Sequence, residues 1–420
     1  MQRKKRVLVF GDDTRSFLAV VRSLGRKGVH VDAAPFDLHA PALASRYICD
    51  VIPLPAYQGE GEEWLAALET HLASQTYDLL VPCCDRSILA LDRHRARFAD
   101  QCLALPDPHA IPILFDKLAA KELAGNVGVA VADGRRLRDD DSVETLVGEF
   151  GLPLLIKPRA SYTLQEMENR GKVVVARSRA DVKAALAEIE FTSRFMVEKY
   201  FDGYGGGLST LSRKGEVLLA FQHRRLKEPR TGGGSSLRES VAVDPAMLAA
   251  CARMLHALDY TGVCMFEFRH AHDGPDWILV EINARFWGSL PLAVSLGVDF
   301  PFHLFGMMTD GTCPAPRSYA LGVRGRNMLV GAYDTLFKDR KSIGSILPLM
   351  RDLGGLGLHP FKLLLGWETS DVWVRDDLKP AVAEILSLPR IVRSKTQVAQ
   401  AAPARLSDLP RGHRVPVTKR

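Results

Sequence analysis

The stretches GVCMFEFR and VEINARFWGS each place a carboxylate in an otherwise apolar run: Glu267 in the first, Glu281 in the second, with Asn283 and Arg285 following. A turn at Asp273-Gly274 predicts that the two runs form a hairpin. With that turn Glu267 lies opposite Glu281 and Met265 opposite Asn283. Period-two alternation then sends Met265, Glu267, Arg269, Glu281 and Asn283 to one face, and Cys264, Phe266, Phe268, Ile278, Val280 and Ile282 to the other. Like charges facing across a ladder are unfavourable, and a cation between them removes the conflict. Two carboxylates and an amide are hard oxygen donors that suit magnesium completed by phosphate oxygens. A salt-bridge network through Arg269, Arg285 or a lysine would satisfy the same carboxylates without metal. Arg285 favours the metal: a guanidinium keeps its charge and grips phosphate or carboxylate oxygens with two hydrogen bonds, which is what stabilising a phosphoryl group in transfer requires.

Lys157 ends the apolar run LPLLIKP, where an unpaired ammonium is costly to bury; taken singly, a lysine snorkelling from a strand end is the favoured reading. Lys117 opens a helix, where a cation opposes the dipole unless an anion such as phosphate offsets it. VEKYFDG (197–203) mixes apolar contact with main-chain donors and acceptors, as an adenine ring needs and as a plain edge strand also offers. FQHRRLKEPRTGGGSSLRES (221–240) gathers His223, Arg224, Arg225, Lys227, Arg230 and Arg238 around three glycines, a cationic setting for a carboxylate or phosphate.

These residues need a scaffold, and the pattern around them supplies one. Strands at 6–11, 29–35, 78–85 and 102–106 alternate with helical runs, which predicts a parallel sheet covered on both sides. Gly11 opens no GxGxxG pattern, so this unit is not expected to hold a dinucleotide. The proline-rich 107–116 reads as a linker. Beyond it come a helix from 116–117, a strand at 128–134, a helix at 142–150, paired strands at 152–158 and 172–178, a helix at 179–190 and a strand at 194–203. Hairpins at 207–226, turning at Lys214-Gly215, and at 261–286 flank a helix at 245–258. After Pro301 the chain is apolar and helical to about 390.

Apolar content of 47% and charged content of 25% place the chain among soluble globular proteins. No run reaches the ~18 apolar residues of a spanning helix, so a cytoplasmic location is expected. The seven cysteines are scattered without metal-ligand spacing and are expected to be buried thiols rather than disulfides or zinc ligands. The net charge of +6 resides in residues 392–420, where seven cations face Asp408 alone (7 − 1 = +6) and the rest of the chain is neutral. That tail reads as disordered; weak contact with an anionic membrane surface is the alternative, and no specific nucleic-acid partner is expected.

In their order along the chain, Lys117 in FDKLAAKELA, Lys157 in LLIKP, MVEKYFDG, Glu267 in GVCMFEFR and EINARFWGS at 281–289 resemble the ATP-grasp superfamily over about residues 1–310. The likeness is strongest at 261–301, to its carboxylate–amine ligase branch. The resemblance implies an α/β fold, α+β in the ATP-binding part. It comprises an N-terminal Rossmann-like pre-ATP-grasp domain (1–110), a small lid subdomain (111–200), a large subdomain with the metal site (201–312), a mostly helical extension (313–391) and the basic tail (392–420). Nucleotide would lie between the two α+β subdomains. Lys117 and Lys157 would contact ATP phosphates, and Glu198, Lys199, Tyr200 and Phe201 would meet adenine largely through main chain. Glu267, Glu281 and Asn283 would ligate two magnesium ions, with manganese as a substitute. Arg285 would stabilise an acyl-phosphate transition state, and His223, Arg225 and Arg238 would contact substrate.

The phosphate-covering stretch RASYTLQEMENRG departs from the pattern in having the single glycine Gly171, so Ser161 is expected to replace part of a main-chain cradle. A ribose-binding acid is not evident, Asp202 being the nearest. The implied activity is an ADP-forming ligase that joins a small-molecule carboxylate to an amine, with a homodimer as a candidate assembly. A bicarbonate-activating enzyme of the carbamoyl-phosphate synthase or biotin carboxylase kind and a non-catalytic ATP sensor are the rivals.

Overall fold

The computed structural model describes residues 3–164, 167, 171–228, 234–315, 317–333, 354 and 357–388. The tail 392–420, Arg230, Thr231, Gly232 and Gly233 lie outside the described residues.

The first sheet is built from β1 (Arg6–Phe10), β2 (His30–Ala34), β3 (Ile48–Val51) and β4 (Leu79–Pro82), all parallel, in the order β3-β2-β1-β4. Helix α1 (Ser16–Arg26) links β1 to β2; α2 (Glu62–Ser74) precedes β4 and α3 (Asp85–Arg93) follows it. The apolar runs form strands here because both faces are covered, so no alternation is needed. Strand β3, ICDV, escapes the sequence reading because it is short and largely exposed. The expected strand at 102–106 reduces to one bridge, Leu80 to Leu103.

After the short helix α4 (Ile111–Leu114) comes α5 (Lys117–Asn126), whose start is set by Asp116: its carboxylate accepts from the N–H groups of Leu118 and Ala119. A four-stranded sheet follows, formed by β5 (Gly134–Arg136), β6 (Leu154–Pro158), β7 (Val174–Ala176) and β8 (Phe195–Lys199) in the order β5-β8-β6-β7. The strand expected at 128–134 begins instead at Gly134. Helices α6 (Val143–Phe150) and α7 (Arg179–Ala187), each with a serine capping box, cover this sheet.

The third sheet has seven strands. Strands β9 (Tyr204–Arg213) and β10 (Glu216–Lys227) meet at Lys214-Gly215, both at positive φ. Then come β11 (Leu237–Val241), α8 (Pro245–Ala257), β12 (Gly262–His270) and β13 (Trp277–Asn283), followed by α9 (Leu290–Ser295) and α10 (Phe300–Asp310). The extension adds the short strands β14 (Arg324–Arg326) and β15 (Glu368–Ser370) between its helices, completing the order β13-β12-β9-β10-β11-β14-β15. Helix α1 packs on α9 and α10, and one apolar cluster runs from Val7 and Phe17 through Phe221 to Trp287 and Phe300. The N-terminal sheet is thereby seated on the third.

The β12–β13 register is the expected one, Glu267 opposite Glu281 and Met265 opposite Asn283, but a bulge follows, since Phe268 pairs with Leu279. Val280 is the extra residue. Leu279, not Ile278 or Val280, therefore joins Phe268 and Ile282 in the core. The cysteines are all free; Cys83, Cys251 and Cys264 are buried, whereas Cys49 and Cys313 are exposed, contrary to expectation. Among the described residues no helix is long and apolar enough to cross a membrane.

Candidate active site

The end of β13, the start of α5 and the segment after β6 converge on one pocket lined by Lys117, Ser161, Tyr162, Glu281 and Asn283, with Asp85 from the start of α3. Lys117 is buried, donates to Ser161 Oγ at 3.0 Å and lies 3.8 Å from Glu281. Across the ladder Glu267 is held by Arg225 at 2.7 Å, and Asn283 Nδ2 approaches Glu267 Oε1 at 3.4 Å. The like charges are thus met by cations on either side. Burial works against the Arg225 charge, but Glu267 and Glu228 together hold its pKa above the ordinary value.

Arg225 reaches Glu267 because β9, which lies between their strands, is glycine-rich at that level. Gly207 pairs with both His223 and Glu267, and a Cβ at Gly205 would meet Arg225 Cδ at 2.8 Å. YGGG in β9 is therefore a gap through which β10 side chains cross to β12. His223 uses the same gap, is 1% exposed, and is held far below its usual pKa by burial and then by Arg225 and Arg238. Burial and its two cationic neighbours favour the neutral imidazole.

The Glu198 side chain has partners of its own, apart from the main-chain contact expected of it. Strand β8 is central in its sheet, so Glu198 and Lys199 sit in ladders, and Lys199 N–H donates to Asp133 O. Tyr200 and Phe201 alone of the four lie beyond the strand. The buried Glu198 carboxylate binds Lys157 Nζ at 2.7 Å and Lys121 Nζ at 2.6 Å. Burial would raise this carboxyl, but the two ammonium groups override it and hold its pKa low; burial lowers that of Lys121. Lys121 was missed by sequence reasoning, although its spacing from Lys117 on one helix face was a usable signal.

Arg285 is partly buried, and its Nε donates to Asp85 Oδ1 at 2.9 Å. Asp85, in CCDRS after β4, was not signalled in the sequence because its partner belongs to another sheet. Arg238 is a correction: it is 0% exposed and paired through both terminal nitrogens with Asp371, so its guanidinium faces the extension rather than a substrate. Lys117, Glu281 and Asn283 thus share the pocket, Glu267, Arg225 and Arg285 border it through their partners, and Lys157 stands with Glu198 and Lys121.

A family model described as ATP-grasp in the biosynthetic pathway with Ter operon matches residues 191–328. The N5-carboxyaminoimidazole ribonucleotide synthase of Brucella melitensis biotype 1 is 25% identical over 184 residues, 42% of this chain and 49% of that protein; the chain thus spans about half the length of this curated relative. The N5-carboxyaminoimidazole synthetase of Staphylococcus aureus, solved with ADP, superposes with a TM-score of 0.59 at 15% identity, covering 76% of this chain and 81% of that one. The biotin carboxylase domain of Hydrogenobacter thermophilus 2-oxoglutarate carboxylase, solved with MgADP, ADP and bicarbonate, gives 0.57 at 16% identity, covering 77% and 74%. At such identities the structural likeness establishes the fold.

Proposed function

We propose that this chain, which an ATP-grasp family model matches over residues 191–328, is an ATP-dependent ligase that activates a carboxylate as an acyl phosphate and joins it to an amine. The observation that carries this reading is the convergence of Glu281, Asn283 and Lys117 on one pocket with Glu267 directly across the ladder. The donor set fits magnesium: the oxygens are hard, they share a face, and Glu267 and Glu281 already draw in Arg225 and Lys117. Glu267, Glu281 and Asn283 would hold the metal, two ions being the number the resemblance implies, with manganese as a substitute. Bound there, it would neutralise charge on the transferring phosphoryl group.

Lys117 at the start of α5 and Ser161 would receive phosphate oxygens. Lys157 would turn to the nucleotide while Lys121 keeps Glu198 compensated. Asp85 fixes Arg285, which would bind the phosphoryl group in flight, and Arg225, drawn from Glu267, would face the substrate carboxylate beside the neutral His223. An oxygen of that carboxylate attacks the γ-phosphorus, and the bond to the β–γ bridging oxygen breaks as ADP leaves. The amine nitrogen then adds to the acyl carbon, and phosphate departs with the C–O electron pair as the nitrogen loses a proton. Positioning and charge are the whole of this catalysis, consistent with a site of lysine, arginine and carboxylate.

Bicarbonate as the activated acid is the second reading, supported by the Hydrogenobacter thermophilus protein having been solved with that anion. The test offers pools of carboxylates and amines, and bicarbonate separately, with MgATP, measures ADP release, and traps the intermediate with hydroxylamine. A hydroxamate from a carboxylate pool is expected. ATP binding without ADP release from any pool would leave an ATP sensor instead.

A further inference from the structure

The loop GDDTR leaves the C-terminal end of β1, beside the point where the strand order changes direction between β2 and β4. Ligands of parallel sheets sit in that crevice. Asp13 already satisfies the start of α1: its carboxylate accepts from the N–H groups of Arg15, Ser16 and Phe17 and from Ser16 Oγ. The Arg15 side chain is therefore not needed as a cap. Its guanidinium lies flat on Gly288, where a Cβ would stand 2.9 Å from Cζ and 3.0 Å from Nη1, and faces Gly234, where a Cβ would stand 3.5 Å from Nη1. Two glycines from separate loops of the third sheet's unit thus make room for one cation from the first.

No described residue hydrogen-bonds or ion-pairs with that guanidinium. Glu384 acts on it at a distance, but its carboxylate takes its hydrogen bond from Thr14 Oγ1 at 2.8 Å. The same two loops carry Ser289 Oγ, beside Gly288, and Ser236 Oγ, just past Gly234; both are buried and unpartnered among the described residues. Donors left unmade in such a setting are costly, and an acceptor-rich anion would satisfy all of them.

We propose that this crevice is a second anion subsite, in which Arg15, Ser289 and Ser236 hold a carboxylate or phosphate group on the nucleophile substrate. Assigning the ligand to that substrate rests on the ligase reading; the anion subsite does not. The segment that carries Gly288 follows Arg285, which Asp85 ties to the start of α3. An acidic group anchored on Arg15 therefore places the rest of its molecule beside the phosphoryl-transfer residues. The amine is thereby narrowed to one that carries an acidic group.

The test measures thermal stabilisation of the full chain by inorganic phosphate and, separately, by acetate, against chloride at equal ionic strength. Saturable protection is expected, weakened about tenfold in apparent affinity by Arg15→Gln, largely kept by Arg15→Lys, and unchanged by Lys157→Gln in the Glu198 cluster. Preference for phosphate or for acetate identifies which acidic group the substrate bears. Equal protection of wild type and Arg15→Gln, or loss with Lys157→Gln alone, would overturn the subsite, because the anion would then sit only among the nucleotide lysines. Since no turnover is involved, this result stands apart from the ADP-release screen. Once a substrate pool is found, Arg15→Gln should raise KM for the amine and leave that for ATP unchanged.

Discussion

The C-terminal extension and the active site are both dense in charge, yet they are organised in opposite ways. In the extension Glu368, Asp371 and Asp377 are each matched by buried donors. Glu368 receives Arg326 at 2.8 and 3.0 Å, His359 at 2.7 Å and Lys362 at 3.3 Å. Asp377 takes Arg22, Ser45 and the N–H of Arg46, and Asp371 takes Arg238. The side chains of Glu368 and Asp371 are 2% and 1% exposed, whereas those of Glu267 and Glu281 are 20% and 19% exposed and border a pocket. Glu281 lies 3.8 Å from Lys117. Carboxylates buried among donors hold the fold; those exposed at a pocket are within reach of a ligand. Charge density in a sequence does not distinguish the two.

Four experiments would break or sharpen that contrast. Asp371→Ala strands Arg238 as a buried unpaired charge and should cost about 3–5 kcal/mol of stability, read from the denaturant midpoint, with activity per folded molecule retained. A catalytic loss without a stability loss would move Arg238 back to the substrate. Glu281→Gln should do the reverse, reducing turnover by about 10²–10³-fold with little change in melting temperature; full activity would sink the metal assignment.

Glu198→Gln belongs between the extremes. It leaves Lys157 and Lys121 without a counter-charge and should cost about 1–3 kcal/mol. It should also raise KM for ATP, because Lys157 loses its resting position; an unchanged KM would make this cluster purely structural. The smallest effect is that of pH. Glu368 is largely buried, which would raise its carboxyl, but His359, Arg326 and Lys362 hold it far below the ordinary value of 4.5. A depressed folded-state pKa contributes stability that is complete above the unfolded value and drains away as pH falls below it. Wild type should therefore exceed Glu368→Gln by a constant margin above about pH 5 and lose that margin in stronger acid. A margin that grew on acidification would reject the assignment.

Much of the site was legible from local pattern. Alternation and one turn predicted that Glu267 faces Glu281, because side-chain direction in a hairpin is set by residues close in the chain. The helix starts expected near 116–117, 142 and 179 are found, capped by Asp116, Ser142 and Ser178. The bulge at Val280 was not legible, since an extra residue leaves no mark in composition. Arg238 was misread because its loop is rich in cations, while its partner Asp371 lies 133 residues away.

The sequence by itself therefore determined most of the helices and strands around the site, the register of the metal-strand hairpin up to its bulge and the chemical types gathered along it, all consequences of short-range sterics and periodicity. Tertiary structure alone decided which cation each carboxylate meets: Arg225 across the glycine gap of β9 for Glu267, Asp85 from another sheet for Arg285, two lysines for Glu198. Coulomb energy depends on distance and burial, and neither is defined until segments remote in the chain are packed together.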